Sequence, residues 1–247
     1  MKDNDKRQAG FTGQTDKRPR SKKKDTGHRV PPPRSLFGRL IVTLSLAISR
    51  RKLNIVIEGQ EHIPKDVPYV IAANHVTYMD ALWIFSLLPP DHYAQTCALI
   101  GADLQTDYGL LGKIMFLTAR PIPVERKGSG GARSLIIAKN ALEAGNNILI
   151  HPEGTRSKTG RLGPFHSGAA YLSTKYGAPI LPVYIKGGHD IWPPGQRFPN
   201  FKDAEGKKRE LRLIIKPCVY GKDYPDAKAM TQALAALFQD LQDEIGY

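Results

Sequence analysis

The sequence predicts an α/β fold: one domain with a central sheet flanked by helices, preceded by a short helical segment suited to a membrane surface. Three observations carry this. Short β-like runs alternate with stretches of helical periodicity from residue 69 onward, one apolar stretch after residue 36 is bracketed by cations, and residues 1–33 hold almost no aliphatic side chains.

Taken in order, residues 1–35 carry eleven Lys/Arg against four Asp, a net of +7 out of the +13 of the whole chain. Such a segment buries too little apolar surface to offset the entropy of folding, so a disordered basic arm is expected. It lacks the apolar core and small-residue cleavage site of a signal peptide. Residues 36–49 are apolar apart from Arg39, with Arg34 and Arg39 ahead of the unbroken run and Arg50, Arg51 and Lys52 behind it. A spanning helix needs ~20 apolar residues, so residues 36–52 are expected to lie on or dip into an anionic leaflet. A buried helix of the core is the other reading of so short a run.

Residues 53–247 are assigned to the domain itself. Strands are expected at 69–73, 121–124, 147–150 and 180–186, with helices at 81–88, 132–144 and 167–176 between them. Residues 211–216 read as a late strand. Residues 227–245, with Leu234, Leu237, Phe238 and Leu241 at helical spacing, read as a closing amphipathic helix. A chain of 247 residues suits one folded unit of this kind behind its arm.

The net charge points to an anionic partner: nucleic acid, lipid headgroups or a phosphorylated substrate. Cys97 and Cys218, far apart and outside any C-x-x-C pattern, argue against a disulfide framework and read as core residues in a reducing compartment.

Three loops hold the candidate chemistry. The first follows the strand at 69–73 and contains Asn74, His75, Thr77 and Asp80. Inside a helix, five residues would turn His75 and Asp80 roughly 140° apart, so they meet only if the chain bends between them, as a strand-to-helix junction does. Meeting, they make a general base with an orienting carboxylate. Apart, Asp80 is a helix cap and His75 an ordinary loop residue. The second loop, Pro152-Glu153-Gly154-Thr155-Arg156, leaves the strand at 147–150 and offers a glycine turn and a guanidinium to a phosphate. A surface ion pair of Glu153 with Arg156 is its other reading. The third, around Arg126, Lys127 and Gly128-Ser129-Gly130-Gly131, suits a second phosphate clamp or a solvated basic loop, and lacks the P-loop spacing.

In this order the segments resemble the PlsC-like acyltransferase family, which includes the 1-acyl-glycerol-3-phosphate acyltransferases. Asn74-His75 through Asp80 matches its first motif, Arg126 the arginine of its second, Glu153-Gly154-Thr155-Arg156 its third, and Ala178-Pro179-Ile180-Leu181-Pro182-Val183 its fourth. Thr77 stands where serine is common, and His151 where an apolar or aromatic residue is usual. The resemblance implies catalytic His75 and Asp80, and a substrate-binding set of Asn74, Thr77, Arg126, Glu153, Gly154, Thr155 and Arg156. Arg126 and Arg156 would hold the acceptor phosphate, and backbone N–H groups near Gly154 the oxyanion. It also implies transfer from acyl-CoA or acyl-carrier protein to a lysophospholipid hydroxyl, with neither cofactor nor metal. The expected acceptor is 1-acyl-glycerol-3-phosphate, giving phosphatidate; another lysophospholipid or a lyso-aminolipid suits the same framework. A peripheral or monotopic place on the cytoplasmic face of a membrane follows.

Rival classes fit less of the chain. A hydrolase would aim the same dyad at water. A zinc deaminase would follow His151-x-Glu153 with P-C-x-x-C, which is missing. A nucleic-acid binder would interleave aromatics with its basic arm, and none is expected as a partner.

Overall fold

The computed structural model describes residues 29–104, 109–125 and 130–247. Most of the basic arm, together with Arg126 and the start of its glycine loop, lies outside the described residues.

Helix α1 (Leu36–Lys52) starts at Ser35, whose side chain accepts the Gly38 N–H. Then come β1 (Asn54–Glu58), β2 (Val70–Ala73), α2 (Asp80–Leu87), α3 (Pro90–Gln95), β3 (Thr96–Gly101), α4 (Gly109–Ala119), β4 (Pro121–Val124) and α5 (Gly130–Glu143). The chain continues through β5 (Asn147–Ile150), α6 (Gly168–Tyr176), β6 (Ile180–Lys186), α7 (Gly188–Ile191), β7 (Glu210–Ile215) and α8 (Ala227–Ile245). The seven strands form one sheet in the order β1-β7-β6-β2-β5-β3-β4, antiparallel only between β6 and β7. The mixed α/β architecture matches the expected fold class.

β2 and β5 are buried along their whole length, as the apolar runs of parallel strands covered on both faces should be. One core, with Trp83, Ile71 and Leu149, lies on one side of the sheet, and another, with Ile148, Ile180 and Met230, on the other. Edge strand β4 tolerates Pro121 and Pro123 because one side of it needs no partner. The strands β1 and β3 and the helices α3 and α4 were not expected from the sequence. β3 reads Thr-Cys-Ala-Leu-Ile-Gly, with little alternation, and is extended because it docks between β5 and β4.

The expected disordered arm needs correction at its end. Arg34 is buried over the rings of Phe85 and Tyr93 and donates to the carbonyls of Tyr93, Thr96 and Thr118. Arg120 reaches back to the carbonyls of Pro31 and Pro32. Two guanidiniums thus latch the approach to α1 onto the body, through partners far away in sequence. α1 also crosses α4 closely, since a Cβ on Gly38 would lie 2.7 Å from the Leu117 carbonyl oxygen.

Candidate active site

The parallel pairing of β2 with β5 sets Val70 beside Ile148 and Ala72 beside Ile150, an offset of 78 residues. The two loops leaving these strands keep that offset. His151 reaches the Ala73 carbonyl, Glu153 the His75 N–H, and Arg156 the Tyr78 hydroxyl. Strand register therefore carries the first and third motifs to the same carboxyl-terminal rim of the sheet, the usual place for sites in open α/β folds.

His75 and Asp80 meet. The His75 Nδ1 to Asp80 Oδ2 distance is 2.8 Å, with Asp80 fully buried. The bend that brings them together is built by Asp80 itself. Its Oδ2 also accepts the N–H groups of Val76 and Thr77, and its Oδ1 the Thr77 hydroxyl. Asp80 opens α2 but does not cap it; the N-cap is Met79, without a side-chain bond. Burial works to raise the Asp80 pKa, yet the bond and charge of His75, with His151 and the Thr77 N–H, hold it below the ordinary value. A carboxylate that only accepts makes His75 donate from Nδ1, leaving Nε2 with its lone pair.

His151 packs flat on His75, ring centroids 4.1 Å apart and planes 12° from parallel. Its Nδ1 lies 3.0 Å from both the Ala73 and Asn74 carbonyl oxygens, which accept only, so this ring too is protonated at Nδ1. Burial, then the neighbouring His75, pushes the His151 pKa down to about 4. In the sequence His151 stands out as a departure from the third motif and as half of an incomplete zinc-deaminase pattern. The signal for its place was its position one residue past β5, opposite the end of β2.

Three of the expected substrate contacts have their polar groups engaged within the protein. Asn74 is buried and donates to the Ile185 carbonyl while accepting the Ile185 N–H, so it brackets the loop to β6. Thr77 is buried and spends its hydroxyl on Asp80 and the Met79 N–H. Glu153 is buried too, and its oxygens accept the N–H groups of His75 and Gly163 rather than pairing with Arg156. Burial raises its pKa against those bonds. Asn74 and Thr77 shape the site from behind, while Glu153 also lines the cavity. The Gly154 N–H donates to the His151 carbonyl, so that group is not free for an oxyanion. Gly154 itself has φ +66°, and the His166 ring passes 3.1 Å from where a Cβ would be. Thr155 lines the pocket.

Arg156 lies over the Tyr78 ring, 3.4 Å from its centroid, and donates from Nη2 to the Tyr78 hydroxyl. Its Nη1 is buried without a hydrogen-bond partner among the described residues. Beside Tyr78 opens a cavity of about 630 Å³. His75, His151 and residues 153–155 line it together with Leu99, Ile100, Leu104, Met115, Leu135 and Leu149.

His75, Asp80 and His151 also offer three ligand atoms within 4.8 Å of one another, the spacing of a metal site. The carboxylate is already saturated by donors, and both imidazole Nδ1 atoms are engaged, so hydrogen bonding alone accounts for the cluster. Elsewhere, burial raises the pKa of Cys97 and pushes that of Cys218 up to about 11, as fits core thiols rather than nucleophiles.

Comparison with known proteins places this geometry. Residues 54–186 match the family described as Acyltransferase. The chain is 30% identical over 169 residues to the chloroplastic 1-acyl-sn-glycerol-3-phosphate acyltransferase BAT2 of Brassica napus, covering 67% of this chain and 45% of that protein. It is 29% identical over 195 residues to the human 1-acyl-sn-glycerol-3-phosphate acyltransferase alpha, covering 78% of this chain and 66% of that protein. The chain thus spans between about half and two thirds of the length of these relatives. Its fold resembles the crystal structure of the 1-acyl-sn-glycerophosphate acyltransferase PlsC of Thermotoga maritima, with TM-score 0.62 and 21% identity over 84% of this chain and 81% of that one.

Proposed function

Because the chain belongs to the acyltransferase family, we propose that it moves a fatty acyl group from acyl-CoA or acyl-carrier protein to the free hydroxyl of 1-acyl-glycerol-3-phosphate, giving phosphatidate. The observation that carries this is His75, oriented by a buried carboxylate and lining a cavity that apolar side chains share.

In this reading the acyl chain lies among Leu99, Leu104, Met115 and Leu149, with its thioester carbon near His75. His75 Nε2 removes the acceptor proton as the oxygen attacks the thioester carbon. Asp80 keeps Nδ1 protonated and stabilises the imidazolium that forms. The tetrahedral intermediate collapses, the carbon–sulfur bond breaks, and His75 returns the proton to the thiolate. The unpartnered Nη1 of Arg156 supports the assignment of that guanidinium, with Arg126, to the acceptor phosphate.

The membrane assignment rests on α1. Leu36, Phe37, Leu40, Leu44 and Ile48 are all more than half exposed, and Arg50, Arg51 and Lys52 follow. Among the described residues no helix is long and apolar enough to cross a bilayer. We assign α1 to the headgroup layer, and the protein to the cytoplasmic face as a peripheral or monotopic enzyme.

The test incubates purified protein with labelled acyl-CoA and acyl-carrier protein against a panel of lysolipids. Phosphatidate as the main product is expected; free fatty acid without acylated lipid would instead mark a hydrolase. In the same assay Arg156→Ala should raise KM for phosphate-bearing acceptors at least tenfold, with a smaller effect on kcat. An unchanged KM would remove Arg156 from the phosphate site.

A further inference from the structure

A second cavity, about 560 Å³, lies away from the candidate active site and is lined by Arg51, Lys52, Asn200, Phe201, Lys202 and Lys208. Four cations from two separate segments surround it, the last turn of α1 and the turn at 201–209.

None of these four cations has an ion-pair partner among the described residues. The acids nearby are otherwise occupied. Asp203 accepts the N–H groups of Glu205 and Lys207, Glu205 pairs with Lys207, and Glu210 with Arg212. Lys202 and Lys208 also face each other across an antiparallel bridge, closed by the Asp203 N–H on the Lys207 carbonyl and the Arg209 N–H on the Phe201 carbonyl. Like charges directly opposite one another destabilise such a pair. An anion shared between them reverses the sign. Arg51 and Lys52 serve the C-terminal dipole of α1, but that role does not account for the two lysines facing them.

The pocket is continuous with the exposed apolar stripe of α1. On a helix of about 100° per residue, Arg51 and Lys52 fall within about 60° of Ile48, to either side of it and one turn further on. Phe198, two residues before Asn200, is 66% exposed, and aromatic side chains favour the headgroup layer. Apolar contact and cationic pocket are thus successive along one helix.

We propose that the pocket between the last turn of α1 and the 201–209 turn binds the phosphate headgroup of an anionic phospholipid in the leaflet on which α1 lies. This rests on the membrane-docked reading of α1. Two points of attachment, one apolar and one ionic, set the rotation of the domain on the surface, which a single stripe leaves undefined.

The experiment measures partition of the full chain onto phosphatidylglycerol-containing and pure phosphatidylcholine vesicles. The variants are Lys202→Gln/Lys208→Gln and, at exposed positions outside the pocket with the same change of charge, Lys222→Gln/Lys228→Gln. At about fivefold per lysine near an anionic surface, the pocket variant should bind anionic vesicles about twentyfold more weakly, with neutral vesicles unaffected and the control nearly as wild type. An unchanged thermal melt certifies the fold of each. Equal losses in both variants would reduce the effect to bulk charge and overturn the pocket. So would a pocket variant that binds as wild type, or one whose only defect is a raised requirement for acyl-CoA, which places a soluble phosphate there. If wild type itself does not bind anionic vesicles, the docking of α1 falls as well.

Discussion

At position 151 the site carries an imidazole that stays neutral through the physiological range. Its Nδ1–H is held by two carbonyl oxygens at the end of β2, and its face covers His75. A folded pKa of about 4 against an ordinary 6.5 means that the unfolded chain binds a proton more readily between those values. The stabilising contribution is therefore complete above pH 6.5 and is lost as pH falls toward 4. Between pH 7.5 and 5 the linkage amounts to at most about 2 kcal/mol. His151→Phe keeps an aromatic ring against His75 and removes the titration, so its urea-unfolding stability should decline by about 2 kcal/mol less over that interval than wild type. Parallel pH profiles for the two proteins would mean that His151 is not held neutral by the fold. Composition gave no hint of this, because a histidine's tautomer and stacking depend on carbonyls and rings from another strand.

Among the elements, α1 was legible from its apolar run and cationic flanks alone, and its bounds agree with the expected segment. The central strands were equally readable, since β2, β5 and β6 are apolar runs bounded by loop residues. β1 and β3 escaped notice because pairing, not pattern, makes them strands: β1 is an edge strand on β7, and β3 lies between β5 and β4. The same distinction bears on α1 as a docking surface. Its stripe is exposed in the monomer, so polar substitution there costs the fold little and the membrane contact much. Leu44→Ser/Ile48→Ser should lower partition onto anionic vesicles by about tenfold or more, with the thermal midpoint within about 2 °C of wild type. A large drop in the midpoint with partition intact would make α1 a core element instead.

For the whole molecule, the register between two neighbouring parallel strands decides the outcome. An offset of 78 residues carries the loop after β2 and the loop after β5 to one rim, where Glu153 and His75, Arg156 and Tyr78, and His151 and Ala73 all meet. His75 with Asp80 was readable as a pair because a strand-to-helix junction supplies the bend. The supporting roles of Asn74, Thr77 and Glu153 were not, because Asn74 and Glu153 bond backbone groups brought in by β6 and by the turns, and Thr77 bonds the Asp80 carboxylate and the Met79 N–H inside the bend. The proposed chemistry depends on His75 as the group that makes an alcohol nucleophilic. Its most direct test is the steady-state rate of phosphatidate formation from acyl thioester and 1-acyl-glycerol-3-phosphate, for wild type and a His75→Ala variant of unchanged thermal stability. Loss of at least about 100-fold in kcat is expected. A His75→Ala protein that forms phosphatidate at the wild-type rate would contradict it.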